Sequence, residues 1–298
     1  MVSPASLCSL ATICLVSFLL LFSIFSLSFI FHFRLRTLHS HSHHLRDFNS
    51  LWPLRILLVS FASLWSLTEL LRLPLHDPIF LLLPPPLKRE TLCKLYVVSS
   101  LGLFQPCFFI TLLFLLNISL NKETNYENSL SRALFVIFLF CIPAFLSQLF
   151  FVFFSGAGVW RSPEVFMRQF IIIKQGKVMQ CTHPLIGTGI LGVFSSLYVV
   201  CFVGVCWRAV LMVINKKLRI RIYGLAFAVV LSLSVQFLSL ALSVIWRPGD
   251  LAFEALSLVA FLSVLSCALV GEGILVIQPL ADALIVEGFS SRRPSVSC

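Results

Sequence analysis

The stretch CSLATICLVSFLLLFSIFSLSFIFHF, residues 8–33, holds no Lys, Arg, Asp, Glu or Pro, and Arg34 and Arg36 follow it directly. A bilayer core needs roughly 20 apolar residues in a helix, so the run is long enough to cross with some tilt. The residues before it carry no charged side chain. Positive charge favours the cytosolic side, which predicts the amino terminus outside and Arg34 inside. A cleaved signal peptide would need a basic start and an apolar run of only about 7–15 residues. The run fits a reverse signal-anchor better.

The rest of the chain agrees with that opening. Hydrophobic residues make up 59% of the 298, charged residues 11%, and Phe occurs 30 times. Soluble domains average about 25% charged residues, so the composition, with a mean hydropathy of +1.00, excludes an ordinary soluble protein. The alternation required of a membrane β-barrel is absent. The net charge of +10 does not point to nucleic acid, because the basic residues sit at the ends of apolar runs. There they act as topology signals and contacts for anionic lipid. The lipid bilayer is therefore the first expected partner, and plasma membrane and endomembrane fit equally well. Most of the ten Cys lie in apolar runs, where they act as small hydrophobes, and no CxxC pair occurs.

Seven apolar stretches are predicted to span, at about 8–33, 51–73, 92–116, 133–158, 184–214, 222–246 and 251–279. The expected fold is all-α: a seven-transmembrane-helix bundle over 1–280, and a cytosolic tail over 281–298. Gln105-Pro106 predicts a kink in the third span. Gly192 and Ser196 have the small-xxx-small spacing that admits a neighbouring helix. Arg247-Pro248-Gly249-Asp250 reads as a tight turn between the last two spans. No connection is long enough for a separate domain of about 50 residues. Matching Pro and Gly positions in two halves, the mark of an inverted-repeat transporter, are not evident.

Ionisable groups inside a membrane are expensive, and each is a candidate for function. Glu69 and Arg72, three apart, can pair on one face of the second span or snorkel together at its outer end. Gln105, Gln148 and Gln236 lie on three different spans, either lining one polar cavity or joining helices by hydrogen bonds. Glu254 suits the start of the seventh span. Glu272 lies deeper, between Gly271 and Gly273, as a proton or cation contact. Cys93 and Cys181 both fall on the predicted outer side, where a disulfide between them would persist. On the inner side Lys216, Lys217, Arg219 and Arg221 form a compact basic segment between the fifth and sixth spans. It is a positive-inside anchor or a contact for lipid or a cytosolic signalling protein. Ser295 follows Arg292-Arg293-Pro294, a pattern for basophilic kinases, and its phosphorylation would release the tail from anionic lipid.

Several chemistries are not expected. The His-rich run 39–44 lies between Arg36 and Arg46, whose charge opposes a metal cation. The last span has no His pair for a seven-helix zinc hydrolase and no Lys for a retinal Schiff base. Metalloprotease, phosphate-loop, hydrolase-elbow and dinucleotide motifs are absent. Neither enzyme activity nor a cofactor is expected. The sequon at Asn117 falls on the predicted inner side, at a helix end.

Trp52-Pro53-Leu54-Arg55, then Leu64-Trp65 with Leu70-Leu71-Arg72-Leu73-Pro74, resembles a plant family of uncharacterised seven-helix proteins. Leu92-Cys93-Lys94-Leu95-Tyr96, Gly102 with Gln105-Pro106-Cys107, and Val213-Ile214-Asn215-Lys216 are similar to it too. So are Arg247-Pro248-Gly249, Ala252-Phe253-Glu254 and Pro279-Leu280-Ala281-Asp282. The resemblance implies a G-protein-coupled-receptor-like topology and no catalytic or ligand residues. The acidic-Arg-aromatic triplet of rhodopsin-like receptors is replaced by Leu116-Asn117-Ile118-Ser119, and an Asn-Pro-x-x-Tyr run is missing. The function expected from these features is a receptor-like or signalling membrane protein, with a small-solute or ion transporter as the alternative.

Overall fold

The computed structural model describes residues 4–39, 51–73, 85–120, 129–154, 181, 185–246 and 250–291. They form seven long helices, and no strand occurs among them. These are α1 (Pro4–His39), α2 (Trp52–Leu70), α3 (85–120), α4 (Ser129–Phe154), α5 (Leu185–Met212), α6 (Lys216–Ser243) and α7 (251–291). Each contains a segment long and apolar enough to cross a membrane, among them Leu7–Thr37 in α1, Trp52–Leu70 in α2 and Leu251–Ile285 in α7. Neighbours in sequence pack side by side, and α7 returns to α1 and closes the ring. Helix α3 also reaches α5 across the bundle and is the most buried of the seven.

Helix phase follows the small and polar residues. In α1 the buried positions are Thr12, Val16, Leu19, Ser23, Ser26, Ile30, Phe33 and Thr37, spaced alternately four and three. That is the 3.5-residue seam of a helix pair. In α6 the same spacing runs through Ile222, Leu225, Val229, Ser232, Gln236, Ser239 and Ser243. The remaining faces carry Phe18, Phe25, Phe138, Phe140, Val200 and Phe227 outward. Monomeric soluble proteins rarely expose apolar surface on this scale, whereas lipid requires it. Between such helices the hydrophobic drive is small, so close contact and polar bonds hold them. Gly192 illustrates the first: a Cβ there would overlap the Phe237 ring of α6. Ser196, its small partner in sequence, is exposed and bonds only to the carbonyl of Val193 in its own helix.

The kink predicted in the third span takes the form of a π-helical segment, Val98–Phe104, ending at Gln105-Pro106. A second one, Gly273–Ile277, ends at Gln278-Pro279 in α7. Proline has no N–H and its ring presses on the carbonyl four residues back. In both helices the preceding turn widens instead of breaking, and the Gln N–H bonds five residues back, to Ser100 and Gly273. Pro143 lies exposed within α4, which carries no such segment.

Three boundaries correct the sequence reading. The basic segment 216–221 is not a loop but the first turns of α6, because Asn215 caps it by accepting the Lys217 N–H at 3.0 Å. The tail from 281 is helical to Ser291, since apolar character continues through Ile285. Helix α1 continues beyond the predicted end at 33 to His39, with Arg34 stacked 3.7 Å over the Trp52 ring of α2. Residues 40–44 of the His run, the 247–249 turn and Ser295 lie outside the described residues.

Candidate functional site

Polar side chains gather in three places along the bundle. The first lies near Cys93 and Cys181, which are joined by a disulfide. In α2 the core-facing positions Leu58, Ala62, Trp65 and Glu69 follow a spacing of four, three and four. This carries Glu69 inward, to 5% exposure, so it does not snorkel. Trp65 fixes that phase by stacking on Phe261 of α7, with ring centroids 5.5 Å apart. Tyr96 and Ser100 face Glu69 from α3. The Tyr96 hydroxyl donates to Glu69 Oε2 at 3.0 Å, and the Ser100 hydroxyl donates to Oε1 at 3.1 Å. Ser100 lies in the π-helical turn, so one residue meets Glu69 through its hydroxyl and bonds the Gln105 N–H through its carbonyl.

Arg72, just past the end of α2, donates to the Ser257 hydroxyl of α7. Burial opposes its charge, and the carboxylates of Glu69 and Glu254 favour it. Glu254 stands in the first turn of α7, where a carboxylate complements the helix dipole. The predicted Glu69–Arg72 face thus becomes a junction of α2, α3 and α7 containing an acid, a guanidinium and hydroxyls. Such a junction can hold a polar ligand by exchanging hydrogen bonds rather than by creating an unpaired charge.

The second place is midway along the bundle. Gln105 and Gln236 form a reciprocal amide pair, with Nε2 to Oε1 distances of 2.6 and 2.9 Å. Gln148 bonds the Gly187 carbonyl of α5 instead, at 2.8 Å. These bonds join α3 to α6 and α4 to α5. Gly102 of α3 makes room here, since a Cβ would meet Gln148 Cβ at 3.2 Å. Nearby, Cys107 and Cys141 meet across α3 and α4 with sulfurs 3.1 Å apart.

The third is Glu272, fully buried at the last turn before the α7 π-helix. Its Oε1 and Oε2 accept from Ser23 and Ser26 of α1, each at 3.2 Å. Farther along α7, Asp282 pairs with Arg221 of α6 at 2.6 Å. Lys216, Lys217 and Arg219 are exposed beside it, and Arg219 bonds the Val213 carbonyl. No group of three or more metal-ligating side chains occurs among the described residues.

Sequence reasoning gave no site role to Tyr96, Ser100, Ser257, Ser23, Ser26 or Asp282, though Tyr96 and Asp282 stand among the residues of the family resemblance. The serines carried a signal, because Ser23 and Ser26 share the 3.5-residue seam of α1. Tyr96 carried a weaker one, as an aromatic with a hydroxyl one turn from Ser100.

Seven apolar helices closed into a ring, lipid-compatible outside and polar at a few inner junctions, define a multi-pass membrane protein. The chain belongs to the family described as Uncharacterised conserved protein UCP031277, which matches residues 3–292. No curated protein and no solved structure matches it.

Proposed function

We propose that the protein is receptor-like: a polar ligand reaches the Glu69–Arg72 junction, and α7 carries the response to the basic start of α6. The observation that carries this reading is the span of α7. One helix holds both Ser257, the acceptor of Arg72, and Asp282, the partner of Arg221. The 25 residues between them (282 − 257) make about 38 Å of helix, enough to cross the bilayer. A ligand competing for Arg72 or Glu69 shifts α7 only through unequal contacts in two states, and the Ser257 bond supplies one such contact. In this reading the amino terminus and the disulfide lie outside, and Lys216, Lys217 and Arg219 face a cytosolic partner. The plant-family resemblance and its receptor-like topology agree with this arrangement.

The test uses the purified protein in nanodiscs. Small polar compounds are screened by thermal shift, and hydrogen exchange over 213–221 is measured for each that stabilises it. Stabilisation with altered exchange, lost in Glu69→Gln and Arg72→Gln, is the expected result. Binding without any change at 213–221 would refute the coupling.

A second reading, transport of a small solute or ion, draws on Glu272, since a fully buried carboxylate within a spanning helix marks many ion paths. Proteoliposome flux that falls in Glu272→Gln would favour it over the receptor-like reading.

A further inference from the structure

We propose that Glu272, Ser23 and Ser26 form a binding site for a single Na⁺ ion between α1 and α7. The argument starts from charge. Glu272 has 0% exposure, and its two carboxylate oxygens are met by the Ser23 and Ser26 hydroxyls. Along α1 the nearest cations, Arg34 and Arg36, lie eight and ten residues beyond Ser26 (34 − 26 and 36 − 26), about 12–15 Å of helix. Asp282 is ten residues on along α7 (282 − 272), about 15 Å. A carboxylate desolvated this deeply has its charge balanced either by a proton or by a positive partner.

Geometry then selects the partner. Ser23 and Ser26 are one turn apart on the seam of α1, and each meets a different carboxylate oxygen at 3.2 Å. A hydroxyl bonded tightly to a carboxylate would sit at about 2.5–2.7 Å, so these contacts are loose. Oxygens held about 2.3–2.6 Å from a hard cation, at right angles around it, stand about 3.3–3.7 Å apart. Na⁺ has nearly the radius of Ca²⁺, and the site's separations lie close to the lower end of that range. The hydroxyls keep lone pairs to give to a cation once their protons turn away. One carboxylate neutralises one monovalent charge, whereas a divalent ion would leave excess charge in hydrocarbon.

The backbone agrees. Glu272 immediately precedes the π-helical turn Gly273–Ile277, and such turns cluster at functional sites. Space is also unequal about it. A Cβ at Gly271 would come within 2.9 Å of Leu112 Cδ1, while one at Gly273 would meet nothing within 4 Å. The site requires neither signalling nor flux, and it lies about 22 Å along α7 from Ser257, so its failure would leave the receptor-like reading standing.

The experiment is thermal unfolding of the full chain in nanodiscs, with NaCl replaced by choline chloride at constant ionic strength, at pH 6 and pH 8.5. A stabilising ligand raises Tm with the logarithm of its concentration above Kd. The expected result is a Tm that climbs with Na⁺ at pH 8.5 and less steeply at pH 6, where protons compete. Glu272→Gln should unfold at a Tm independent of Na⁺, and the double variant Ser23→Ala/Ser26→Ala should need at least tenfold more Na⁺ for the same shift. The double variant keeps the test open should Glu272→Gln fail to fold. A wild-type Tm that ignores Na⁺, or that depends on pH alone, overturns the proposal; the latter would make Glu272 a proton site only.

Discussion

Replacing Gln105 and Gln236 by Leu, singly and together, tests how the middle of the bundle is held. The two amides exchange bonds of 2.6 and 2.9 Å at 1% and 4% exposure. Side-chain bonds between membrane helices average about 0.6 kcal/mol and reach about 1.7, so two of them bring roughly 1.2–3.4 kcal/mol. Each single variant also leaves the other amide buried without its partner, the costly way to lose a hydrogen bond. The double variant leaves no such orphan and exchanges two side chains for apolar ones of similar size. We expect each single change to cost about 1–3 kcal/mol and the double to cost no more than one single. The coupling energy should then be about 1–3 kcal/mol. Equilibrium unfolding in mixed SDS–detergent micelles, followed by tryptophan fluorescence, measures all three. Single effects that add to within about 0.5 kcal/mol would refute the pairing, as they would if both amides faced a wet cavity.

Other junctions give shorter tests. Breaking the Cys93–Cys181 bridge, which spans 88 residues, removes at most about 4.6 kcal/mol by chain entropy. Cys93→Ser should unfold at lower temperature, and wild type should lose the same stability on reduction. Gly192→Val meets the Phe237 ring and should cost about 1–3 kcal/mol, a typical cost of overpacking. Gly189→Ala, with nothing within 4 Å of its Cβ, should be neutral or slightly stabilising in the same unfolding assay. The Arg221–Asp282 pair has side chains 29% and 55% exposed. Asp282→Asn should therefore cost no more than about 1 kcal/mol and lose that effect at high salt, as titration with KCl would show.

The composition and the spacing of apolar runs determined the seven helices. In hydrocarbon every backbone N–H and C=O must bond within its own segment, so a long apolar run has few alternatives. The Gln-Pro pairs at 105–106 and 278–279 also marked where a helix must deform, though only the first was read as a kink. The basic stretch 216–221 looked like a loop because charge usually marks the end of a span. The Asn215 cap shows that the helix has already begun there.

Which polar groups meet was decided by the tertiary structure. Sequence singled out Glu69, Arg72, Gln105, Gln148, Gln236 and Glu272 as residues out of place in lipid, and placed Cys93 and Cys181 on one side. It could not say that Gln105 finds Gln236 while Gln148 turns to a carbonyl, or that Glu272 reaches two serines 249 and 246 residues away. The reason lies in rotation about each helix axis. A helix apolar on every side has no strong amphipathic signal to fix its phase. Hydropathy therefore specifies where the chain crosses, and the fit of small residues against neighbours specifies which way each polar side chain faces.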